Sequence, residues 1–133
     1  MGNDNMSLKK ADNEIQGEIG SVKISNEVVA IIAGLAASEV PGVVSMSGGI
    51  AGGITEALGR KNLSKGVKVE MGEKQAVIDL HIIVDYGCRI PDVAWNIQER
   101  VKKAVESMTG LSVAEVNIHV QGVYIDKDAK KEM

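Results

Sequence analysis

Val67-Lys68-Val69-Glu70-Met71-Gly72-Glu73-Lys74-Gln75-Ala76-Val77-Ile78-Asp79-Leu80-His81-Ile82-Ile83-Val84-Asp85-Tyr86 decides the fold of this chain. Two alternating runs flank a short turn at Gly72-Glu73-Lys74, so the second run is expected to return antiparallel to the first. In the first run Val67, Val69 and Met71 face one way, and Lys68 and Glu70 the other. In the second, Ile78, Leu80, Ile82 and Val84 share one face, while Val77, Asp79, His81, Ile83 and Asp85 share the opposite one. A strand with one apolar and one mixed face predicts a sheet covered on one side only.

Helical signals bracket this hairpin. Upstream, Ser25 offers an N-cap, Glu27 suits the positive end of a helix, and Val28, Ile31, Ile32, Leu35 and Ala36 follow helical spacing up to Pro41-Gly42. Downstream, Pro91 and Asp92 suit a first turn. Val93, Ala94, Ile97, Val101, Ala104, Val105 and Met108 make an apolar stripe, and Gly110 is the stop signal. Short strands are expected over 18–24 and 43–46. A final one spans 113–124, with Val116, Ile118, Val120 and Tyr124 on one face.

The predicted class is therefore α+β: a single domain of order β-α-β-β-β-α-β, a mixed sheet with two helices packed on one face. The other face should carry Asp79, His81, Asn117, His119 and Gln121. Residues 1–16 read as a flexible N-terminal tail, 17–125 as the domain and 126–133 as a charged C-terminal tail. Between 47 and 64 lies a glycine-rich loop, longer than a simple connector needs.

Composition narrows the function classes. The chain has 133 residues, enough for one core, and the only aromatics are Tyr86, Trp95 and Tyr124. Val and Ile must supply the bulk, which favours sheet. A net charge of −3 argues against general binding to nucleic acid or anionic lipid. The lone Cys88 forms no intrachain disulfide and suits a reducing cytoplasm. The polar N-terminus carries no signal-peptide pattern, and no apolar run reaches the roughly 20 residues that span a bilayer. Met1-Gly2 opens an acylation pattern that Met6 breaks.

Candidate chemistry is sparse. His81 and His119 share the polar sheet face and approach each other if their strands are neighbours. With Asp79 they make an incomplete metal set, against the simpler reading of solvated strand residues. Cys88 sits before a helix with Arg89 beside it, but no His lies nearby in sequence to act as base. Gly48, Gly49, Gly52 and Gly53 match no phosphate-binding pattern. Arg60, Lys61, Lys65 and Lys68 form a modest basic cluster, suited to a solvated loop or an acidic partner. Asp79 and Asp85 need no explanation beyond a polar face. Trp95 lies off the main helix stripe, as an interface anchor or a rim-of-core residue.

Several segments in order resemble the alkaline shock protein family, the envelope stress response proteins of Gram-positive bacteria. They are Gly20-Ser21-Val22-Lys23-Ile24-Ser25, Glu39-Val40-Pro41-Gly42-Val43, the glycine-rich loop and Gly59 to Val69. The run from Ala76 to Val84 with Gly87 and Ile90-Pro91 follows, and then the stretch from Val113 to Val123. The resemblance covers about Gly17 to Ile125. It implies a protein without catalytic residues, linked to cell-envelope homeostasis. It also implies self-association and, in some members, a small membrane-anchored partner that holds the protein at the inner face of the cell membrane.

Two readings follow. One is a cytoplasmic, non-enzymatic envelope stress protein that works by self-association and protein contacts, with Arg60, Lys61, Lys65, His81, Trp95 and His119 as the interaction surface. It has no catalytic residue, cofactor or metal, and no nucleic-acid partner. The alternative is a soluble regulatory module that binds a small ligand or metal through the glycine loop or the His81/His119 face.

Overall fold

The computed structural model describes residues 14–46, 64–72 and 75–125. Residues 1–13 of the expected N-terminal tail, the expected C-terminal tail and residues 47–63 of the glycine-rich loop, with Arg60 and Lys61, lie outside the described residues; residues 14–16, expected in the tail, belong to β1 instead. Eight elements follow in order: β1 (Glu14–Gly17), β2 (Gly20–Lys23), α1 (Asn26–Ser38), β3 (Val43–Met46), β4 (Val67–Met71), β5 (Gln75–Asp85), α2 (Ile90–Thr109) and β6 (Ser112–Tyr124). The class is the expected α+β.

β5 organises the molecule. Its apolar positions Ala76, Ile78, Leu80, Ile82 and Val84 are all buried, and the alternation along the strand is unbroken. β6 runs parallel to β5 and pairs with it along its whole length. β4 pairs antiparallel with residues 76–80 and β3 with residues 82–84. A strand has two edges, so β3 and β4 must lie end to end on the edge that β6 leaves open. The His81 amide bonds the Gly66 carbonyl at 2.7 Å where β4 begins. Both helices cover the face that holds Ile78, Leu80 and Ile82, and their core residues are Val29, Ala33, Ala37, Ile97, Val101 and Val105.

Three local expectations shift. The strand expected over 18–24 is a hairpin, β1 with β2, that forms its own two-stranded sheet. Its turn at Glu18-Ile19 lacks the Asn-Gly or Asp-Gly pair that marks such turns in sequence. In α1 the buried residues are Val29, Ala30, Ala33, Gly34 and Ala37, whereas Val28 and Leu35 are exposed. This helix is apolar nearly all round, so periodicity cannot select a face; small side chains set it by allowing close approach. In α2 the stripe holds from Val93 to Val105, but Met108 is 71% exposed and Thr109 is buried in its place. The Thr109 hydroxyl donates to the Val105 carbonyl and accepts from the Leu111 amide, which satisfies it inside the core.

Caps fix the helix ends. Ser25 Oγ accepts from the Val28 amide at 3.2 Å, and Gly110 ends α2 at φ +79°, where a side chain is strained. Gly42 is held more tightly. Its φ is +101°, and an added Cβ would stand 2.6 Å from Val93 Cγ2. The turn after α1 is thereby pressed against the first turn of α2.

Candidate interaction surface

Parallel pairing in register sets His81 directly beside His119 on the uncovered sheet face. Their rings stack with centroids 4.5 Å apart and planes 12° apart. His81 Nδ1 lies 3.2 Å from the Gly66 carbonyl oxygen, which only accepts, so this nitrogen carries the proton. His119 Nε2 lies 3.3 Å from Asp79 Oδ1. Each ring thus has one nitrogen engaged. The remaining lone pairs lie in nearly parallel planes and do not converge on the short distances a zinc ion requires. No group of three or more His, Cys, Asp or Glu residues suited to a metal occurs among the described residues.

The expected surface residues separate into two places. Lys65 is exposed beside Gly66 and so falls near His81 and His119. Trp95, 60% exposed, belongs to the helix layer instead. Cys88 is half-buried, in a shallow cleft with Gly42, Asp85, Arg89 and Asp92.

A feature that sequence reading missed runs along the outer edge of β6. Gln98 Nε2 donates to the Val116 carbonyl at 3.0 Å. Lys102 Nζ donates to the Val113 carbonyl at 3.2 Å and to Glu106 Oε2 at 2.9 Å. Glu106 Oε2 in turn accepts from the Val113 amide at 2.9 Å. That backbone bond and then the Lys102 ammonium hold the Glu106 carboxyl below the usual carboxylate range. Helical geometry places 95, 98, 102 and 106 in one row. After Glu106, Lys102 and Gln98 the next member of this row is Trp95, which is exposed. The signal was present as a polar row flanking the apolar stripe, but only the position of β6 gives it a partner.

The first part of the β6 edge is therefore capped by α2, and among the described residues this cap does not extend past Val116. Among the described strands β6 pairs with β5 alone. Val120, Val123, Tyr124 and Ile125 are exposed there. The Tyr86 amide donates to the Tyr124 carbonyl at 3.0 Å and so extends the pairing of β5 with β6.

A family model described as the alkaline shock protein 23 family, of cell envelope-related function, matches residues 14–125. The chain belongs to this family. It is 42% identical to the uncharacterized protein YqhY of Bacillus subtilis (strain 168) over 125 residues, 94% of this chain and 92% of that protein. Over 114 residues it is 45% identical to YloU of the same organism, across 84% of this chain and 95% of YloU. A stress response regulator gls24 homolog of Streptococcus pyogenes is 31% identical over 115 residues, which are 85% of this chain and 64% of that longer protein. The solved MamM CTD is more distant, with a TM-score of 0.45 and 19% identity over 74% of this chain and 99% of that one. Among the described residues of this alkaline shock family member, no helix is long and apolar enough to cross a membrane.

Proposed function

We propose that this chain is a non-enzymatic protein of the envelope stress response. In this reading it acts in cell-envelope homeostasis, through self-association and contacts with other proteins at or near the cytoplasmic membrane. The observation that carries it is family membership across the whole described fold, residues 14–125, in a family of cell envelope-related function. The name of the gls24 relative, a stress response regulator, supports it. A peripheral position, held by a small membrane-anchored partner, belongs to the proposal. Trp95 and the neighbouring β6 edge offer such partners a half-apolar strip of the kind that anchors interfaces.

Affinity capture of a tagged copy from its own cells, with soluble and membrane fractions kept apart, tests this. Enrichment of a small membrane protein is expected, and Trp95→Ala with Lys65→Glu should weaken it. Recovery in the soluble fraction alone, together with a metabolic enzyme, would replace this reading with the regulatory one.

A further inference from the structure

We infer that Gln98, Lys102 and Glu106 on α2 stand in for a neighbouring strand along residues 113–116 of β6, an autoinhibitory contact that keeps this stretch from pairing with the extended backbone of another chain. It is a device within the fold and does not rest on the envelope reading.

Three observations carry it. First, the contacts reproduce what a strand would offer. In an antiparallel ladder two facing residues exchange both of their N–H···O bonds. Here the Glu106 carboxylate accepts from the Val113 amide at 2.9 Å, and the Lys102 ammonium donates to the Val113 carbonyl at 3.2 Å. The two side chains are themselves joined at 2.9 Å, so acceptor and donor arrive as one unit. The Val113 amide and the Lys102 ammonium hold the Glu106 carboxyl below its ordinary range, which keeps the unit charged at neutral pH.

Second, helix and strand keep step. From Lys102 to Gln98 α2 rises about 6 Å. From Val113 to Val116 β6 passes two residues of β5, Ala76 to Ile78, which is about 7 Å. The two donors therefore meet successive outward carbonyls, and Gln98 reaches that of Val116 at 3.0 Å. The row is selective: Glu99, Arg100 and Lys103 on the same helix bond no strand among the described residues.

Third, the guarded stretch is otherwise fit for pairing. Ser112-Val113-Ala114-Glu115-Val116 has no proline and a single charge. Strand edges of this kind are templates for other chains unless they are bulged, charged or covered. The register shift that leaves Ala114 between Val113 and Glu115 is one such device, and the α2 row is the second. Stability alone does not account for the row, because an exposed ion pair contributes little, and Lys102 is 54% exposed.

The test is hydrogen exchange at the Val113 amide, read by NMR on the full chain at several concentrations, beside Lys102→Ala/Glu106→Ala. The pair removes one charge of each sign, so the net charge stays at −3. Alanine favours helix, and circular dichroism checks that the variant is folded. In dilute solution the variant should exchange at Val113 about tenfold faster than wild type. Its exchange should then slow, and its sedimentation coefficient grow, as concentration rises and freed edges pair. Wild type should show no concentration dependence at Val113, and Lys102→Arg, which keeps a donor, should follow wild type. Exchange in the double variant equal to wild type would show that the row protects nothing. Fast exchange at every concentration, with unchanged sedimentation, would reduce the row to a structural contact. Concentration-dependent protection of Val113 in wild type would mean that pairing proceeds past the row. Each of these overturns the inference. If the double variant unfolds, Glu106→Ala alone frees the amide and carries the same readouts.

Discussion

Replacing Gly42 by alanine should destabilise the domain far more than a surface turn normally allows. Two effects add. At φ +101° an L-residue is strained, at about 1–2 kcal/mol. The new methyl would also stand 2.6 Å from Val93 Cγ2, a buried side chain in the first turn of α2. Overpacking of this kind costs about 1–3 kcal/mol. The sum is about 2–5 kcal/mol, a large share of a typical domain's stability. Gly110→Ala is the control, since its φ of +79° carries the strain but nothing lies within 4 Å of the new methyl. Urea unfolding of both variants separates strain from clash, because a loss of about 3 kcal/mol moves the midpoint by about 1–3 M. A double-mutant cycle with Val93→Ala completes the assay. Removing the Val93 methyls should recover about 1–2 kcal/mol in the Gly42→Ala background. Equal losses at 42 and 110, or strict additivity with Val93→Ala, would refute the claim that α1's exit turn is pressed onto α2.

The remaining expectations concern the β6 edge and the histidine face. Gln98→Ala removes the bond to the Val116 carbonyl and should lower stability by about 0.5–1.5 kcal/mol in urea unfolding, with faster amide exchange in β6. Glu106 has a depressed folded pKa, so its contribution is present above the unfolded value near about 4.3 and is lost as pH falls through the folded one. Glu106→Gln should therefore be less stable than wild type at neutral pH, and the gap should close on acidification; a constant gap would count against the cap. Zinc at a few-fold molar excess should leave the melting temperature unchanged, since the stacked His81 and His119 rings do not converge. A rise lost in His119→Ala would contradict that geometry.

Much of the fold was legible locally. β5 is buried on one face and mixed on the other, so strict alternation from Ala76 to Val84 revealed it. α2 has a single apolar stripe between charged faces, so its buried side and its glycine stop could be read directly. α1 could not be read this way. Valine, isoleucine, leucine and alanine surround it, and what decides is which side chains are small enough to sit against the sheet. The β1–β2 hairpin escaped because its turn residues carry no conformational signature.

The candidate surface divides along the same line. Sequence alone set which residues could take part: the two histidines by strand parity and Trp95 by its offset from the helix stripe. Those properties depend on spacing within one element. Tertiary structure decided which of them meet. Parallel pairing stacked His81 on His119, and the docking of α2 gave Gln98, Lys102 and Glu106 a strand edge to cap. Beyond that cap, among the described strands, β6 pairs with β5 alone. Such pairings join segments distant along the chain, and local periodicity carries no information about them.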